Sequence, residues 1–153
     1  MADTYTQLYI QIIFAVEGRV SLIRSEFREE LNKYITGIVS NKKNKLIGIN
    51  GVADHMHLLI GLNPAYGLSK LVQEIKSNSS RFINEKGWVY PKFAWQKGYG
   101  AFSYGRSQLN DVAHYIKNQE EHHKKMTFKA EYIIMLKKFE VEYNSEYLFE
   151  WLE

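Results

Sequence analysis

Val52-Ala53-Asp54-His55-Met56-His57-Leu58-Leu59-Ile60 is the stretch on which the reading of this chain turns. It is rich in Leu and Ile and lies between Asn50-Gly51 and Gly61-Leu62-Asn63-Pro64, so it reads as a strand inside a sheet. Alternate side chains of a strand share a face. His55, His57 and Leu59 therefore point one way, while Met56, Leu58, Ile60 and Leu62 point the other and have the composition of a core face. Two adjacent imidazoles can be two legs of a metal site or simply two hydrogen-bonded histidines at a sheet end. A third ligand must come from elsewhere, because two do not close a site.

Outward from this strand the pattern alternates between strands and helices. Leu46 to Val52 reads as a second strand turning directly into the histidine strand. Before it, a helix is expected from about Ser25, as cap, through Val39, with Phe27, Leu31, Tyr34, Ile35 and Ile38 at three-and-four spacing. Thr4 to Val16 alternates as a half-buried strand, with Leu8, Ile10, Ile12, Phe14 and Val16 on the core face. After Pro64, the stripe Leu68, Leu71, Val72, Ile75, Ser79, Phe82 and Ile83 predicts a helix that Gly87 stops. Trp88 to Tyr104 reads as a strand or short hairpin whose aromatics pack on the core; interleaved with cations, they could equally stack along nucleic acid. A helix capped by Ser107 is expected to run to about Lys124, with Tyr115 and Gln119 neighbours on its flank. A last helix, about Phe128 to Phe139, precedes an aromatic tail, Tyr143 to Trp151. The order predicts an α+β fold of ferredoxin-like type: an antiparallel sheet with the histidine strand central and helices packed on it, and the Tyr115 helix, of the same or of a partner subunit, over its ligand face.

Composition bounds the function classes. At 153 residues and 45% hydrophobic, residues 1–153 are expected to form a single domain. The absence of cysteine excludes disulfides and thiolate metal sites. No apolar run approaches ~20 residues and no basic-then-apolar leader is seen, so neither membrane span nor secretion signal is expected, and the expected location is cytoplasmic. A net charge of +3 permits a polyanionic partner without requiring one. Lys42 and Lys43, just past a helix end, and Arg81, Lys92 and Lys97 are candidate phosphate contacts; the plainer reading of the first two is a solvated helix terminus.

His55-Met56-His57 on a strand, followed by Tyr115-x-x-x-Gln119 on a helix, resembles the HUH nuclease signature, and the layout is similar to HUH-type single-tyrosine transposases of small bacterial insertion sequences. Two-tyrosine relatives carry a second Tyr four residues after the first, where this chain has Gln119. The resemblance implies that Tyr115 is the nucleophile, that His55, His57 and Gln119 hold a divalent cation, Mg²⁺ or Mn²⁺, and that the substrate is single-stranded DNA with hairpin ends. It also implies a homodimer, often with active sites shared between subunits.

The residue types suit that chemistry. A tyrosine ester of the 5′-phosphate conserves the energy of the cut bond for rejoining. A free phenol with pKa near ~10 needs help to react, and an ion held by two imidazoles and an amide can polarise the scissile phosphate. Three other readings are open: a domesticated relative acting on chromosomal hairpin repeats, a DNA-binding regulator that does not cleave, and a metal-dependent hydrolase using water, which leaves Tyr115 without a role.

Overall fold

The computed structural model describes residues 4–143. Its strands are β1 (Tyr9–Ala15), β2 (Lys45–Val52), β3 (His55–Gly61) and β4 (Gly100–Tyr104). Its helices are α1 (Ser25–Asn41), α2 (Leu68–Lys86), α3 (Leu109–Lys117), α4 (Gln119–His123) and α5 (Phe128–Lys138). The sheet order is β2-β3-β1-β4 with every pairing antiparallel, so the histidine strand is interior, as the sequence predicts.

Ala53 and Asp54 form the two-residue turn between β2 and β3, pairing Val52 with His55 and Asn50 with His57. The hairpin is tight: a Cβ at Gly51 would collide with Met56 Sδ, so only glycine allows the methionine this close to the backbone.

The alternation of β3 is realised on both faces. Met56, Leu58 and Ile60, with Ile12 and Phe14 of β1, form the core under α1 and α2. Leu59 packs under α3, and Ile13, Ala15 and Phe102 pack under α5. The sheet is therefore covered on both sides. Gln11 through Val16 are all buried, where the sequence suggested a half-buried strand; α3 and α5 supply the missing cover. At Ser79, the polar member of the α2 stripe, the hydroxyl accepts from Trp95 Nε1 at 2.9 Å. Phe93 and Trp95 lie in the core, which supports the packing reading of that segment, but 88–99 is a loop rather than a hairpin arm.

Several boundaries differ from expectation. Ser25 is the first residue of α1, with Arg24 at the cap position and no side-chain cap bond. Ser107 lies inside a single 3-10 turn, Arg106–Gln108, where the Gln108 side chain accepts from Gly105 N at 2.9 Å. The helix expected from Ser107 to Lys124 is two helices, because Asn118 leaves the helical region at φ −98°, ψ 25°. Asn50 of β2 reaches across to this break, donating from Nδ2 to the carbonyls of Ile116 and Lys117, both at 3.0 Å. It thus satisfies carbonyls that the helix end leaves without partners. The tail beyond Tyr143 lies outside the described residues.

Asn50→Ala is expected to lower the unfolding free energy by ~1–3 kcal/mol, the cost of orphaning acceptors at a helix end. Urea denaturation followed by circular dichroism measures it.

Candidate active site

Both imidazoles of β3 are fully buried beneath α3, α4 and α5. Their orientation is set from behind. His55 Nδ1 donates to Asp54 Oδ1 at 2.7 Å, which turns Nε2 inward. His57 Nδ1 accepts from Gln11 Nε2 at 2.9 Å, and Gln11 Oε1 accepts in turn from the Tyr104 hydroxyl at 2.8 Å. Nε2 of each ring is thereby aimed at a common point; His55 has the outward donation usual for a ligating histidine, whereas His57, accepting at Nδ1, carries its proton on Nε2.

At that point lies Glu131 of α5, 2% exposed. Its Oε1 is 3.0 Å from His123 Nε2, 3.2 Å from His57 Nε2 and 3.5 Å from His55 Nε2. Its Oε2 accepts from the Tyr115 hydroxyl and, at 3.3 Å, from Gln119 Nε2. The Tyr115 hydroxyl also lies 3.1 Å from His122 Nε2. The structure thus brings Tyr115, His55, His57 and Gln119 together within one chain.

The electrostatics follow from burial opposed by close partners. Burial is the largest influence on Glu131 and would raise its pKa, but His123, His55 and His57 crowded against it together hold the carboxyl far below the usual range. Burial pushes His57 down to about 4, so the ring is neutral. For His55, burial works against protonation, but Asp54 and Glu131 outweigh it and raise the pKa. Burial first, and the Glu131 bond second, raise Tyr115 well above an ordinary phenol. At rest the hydroxyl is a neutral donor.

Two buried atoms of this cluster have no hydrogen-bond partner: His55 Nε2 and Gln119 Oε1. Both belong to residues proposed from the sequence as ligands, and both are lone-pair donors of the kind a divalent ion uses. The residues present therefore fit such an ion. Tyr115, half-buried, lies between the cluster and a cleft of about 310 Å³ lined by Gln11, Tyr104, His122, Met135, Lys138 and Phe139 among others.

The cationic candidates lie elsewhere. Lys42 pairs with Glu74 at 3.3 Å and lies over the Tyr66 ring, while Lys43 is exposed at φ 63°. Arg81, Lys92 and Lys97 share one groove of about 970 Å³ between α2 and the 92–99 loop, with Trp95 and Tyr99 in its wall. This groove is on the α2 side of the sheet, opposite the histidine face.

The model of the family described as "Transposase IS200 like" matches residues 4–119. This chain belongs to the IS200-like transposase family. The transposase for insertion sequence element IS200 of Salmonella typhimurium is 25% identical over 129 residues, covering 81% of this chain and 84% of its own length. Its counterpart from Salmonella typhi gives the same figures. Among solved structures, a candidate transposase of Deinococcus radiodurans R1 superposes with a TM-score of 0.61 at 20% identity, covering 78% of this chain and 95% of its own. A REP-associated tyrosine transposase bound to a REP hairpin gives 0.58 at 16%, covering 80% and 73%. Both share the fold.

In this IS200-like transposase two members of the cluster, His123 and Glu131, lie beyond the matched segment, and sequence reasoning did not select them. Glu131 had a readable signal: it falls on the apolar stripe of α5 between Phe128 and Met135, where a charge is out of place unless paired. Gln11 and Asp54 carried no comparable mark.

An imidazole whose folded pKa lies below its unfolded value stabilises the fold fully above the unfolded value, and that contribution is lost as pH falls through the folded one. For His57 the window runs from 6.5 down to about 4. In the presence of a chelator, wild type is expected to lose ~3 kcal/mol across that window relative to His57→Gln. Urea unfolding of both proteins at several pH values checks it.

Proposed function

We propose that this chain cleaves and rejoins single-stranded DNA at insertion-sequence ends through a 5′-phosphotyrosine formed by Tyr115. The observation that carries the reading is the contact of the Tyr115 hydroxyl with the carboxylate at the centre of the histidine cluster, beside an open cleft. Family membership supplies the reaction class, DNA transposition.

The chain's own groups divide the work. The phenol oxygen attacks the scissile phosphorus and the 3′-oxygen leaves, so the bond energy is kept in the tyrosine ester. The hydroxyl proton points at Glu131 Oε2, which orients the phenol, and His122 Nε2, 3.1 Å from the hydroxyl, is the imidazole within reach of that proton as the new bond forms. Burial of His55, His57 and Gln119 excludes water from the inner side of the site. These three would hold a divalent ion which, when bound, would neutralise charge developing on the phosphate. Tyr115 serves the cluster of its own subunit in this reading. The homodimer is retained from the family resemblance.

For the partner we extend the ligand class of the REP-associated neighbour, a DNA hairpin, to this chain. The groove carrying Arg81, Lys92 and Lys97 has the composition for it: cations to meet phosphates and Tyr99 as exposed aromatic surface.

Tyr115→Phe is expected to retain oligonucleotide binding and abolish the covalent protein-DNA adduct on a denaturing gel; an adduct that survives sinks the assignment. Replacing Arg81, Lys92 and Lys97 together by Ala should weaken binding to all sequences alike. For every one of these cations that meets a phosphate, its removal should flatten the slope of log K against log salt by ~0.7–0.9. Fluorescence anisotropy across a salt series reads both.

A further inference from the structure

We propose that Glu131 and His123, from the segment after the family match, join His55 and His57 as ligands of the divalent ion, adding a third imidazole and a carboxylate to the neutral set. The inference rests on the metal-assisted reading above. It concerns which atoms hold the ion and leaves open which atom attacks.

Geometry carries it. In an octahedral shell with ligand bonds of ~2.1 Å, neighbouring donors stand ~3.0 Å apart and opposite ones ~4.2 Å. Glu131 Oε1 stands 3.5, 3.2 and 3.0 Å from the Nε2 atoms of His55, His57 and His123. All four donors lie within 4.8 Å of one another. The three carboxylate–imidazole spacings are those of neighbouring vertices of a coordination shell. Oε1 faces the three ring nitrogens and Oε2 faces Tyr115 and Gln119, so ligation through Oε1 leaves the other oxygen on the nucleophile.

Charge points the same way. A carboxylate this deep among imidazoles calls for positive charge beside it. A divalent ion supplies it. The donor set also selects the class of ion: three imidazoles favour manganese or a later transition metal, whereas Mg²⁺ prefers oxygen ligands and keeps its waters.

The test is Mn²⁺ binding to the full chain by calorimetry, with circular dichroism as a control on folding. Glu131→Gln is expected to weaken Mn²⁺ at least ~tenfold, the scale of losing a group that supports a metal site, and Mg²⁺ at tenfold excess should not displace Mn²⁺ from wild type. Affinity in Glu131→Gln within twofold of wild type, or displacement by that Mg²⁺, would overturn the proposal. If Glu131→Gln fails to fold, anomalous scattering from Mn²⁺-soaked wild-type crystals decides. An ion bonded to Glu131 Oε1 and His123 Nε2 supports the proposal; an ion on His55, His57 and Gln119 alone, or none, overturns it. Tyr115→Phe separates the two readings, because it should bind Mn²⁺ as wild type does whatever becomes of the adduct.

Discussion

A full negative charge in a protein interior must be met, and Glu131 is where this fold meets one. A buried carboxylate without partners costs several kcal/mol, and here five side chains from three separate segments converge on it: His55 and His57 from β3, Tyr115 and Gln119 from the two halves of the broken helix, and His123 beside them. The carboxylate ties α5 to the sheet and holds the phenol at a fixed place over the histidine face. Besides it, the helices on this side are held by the apolar clusters around Phe102 and Leu59 and by the Asn50 bonds to the end of α3.

The sheet has a complementary task. Its α1 and α2 face is a continuous apolar core reaching from Ile12 and Phe14 to Trp95. Stability is concentrated there, which frees the opposite face to be polar. Antiparallel pairing then sets the register that matters: Asn50 opposite His57 on one side and Ile13 on the other, so one strand pair both presents the imidazole and, through Asn50, secures the end of the tyrosine helix.

Most of the fold was legible because period-two and period-3.6 patterns survive in the strands and long helices. Met56, Leu58 and Ile60 announce a core face, and Leu71, Val72, Ile75 and Ile83 a helix stripe. The break at Asn118 was not legible: the carbonyls it frees are met by Asn50, 66 positions away from Ile116, and local propensity contains nothing of that. At the site, the pairs His55/His57 and Tyr115/Gln119 could be picked out by spacing, since each pair shares a strand or a helical turn. Glu131 and Gln11 could not, because their roles exist only once helices and strands are stacked. A single acid on an apolar stripe was the one trace that the sequence held.

The interruption at Asn118 separates two demands that one continuous helix would force together. In an unbroken helix, residues four apart stack on the same flank and share much the same depth. Here Gln119 is sealed from solvent while Tyr115 stays at the boundary of an open cleft. One side chain is an anchor and the other a reach: the amide can remain dry while the phenol greets a polymer too large to come inside.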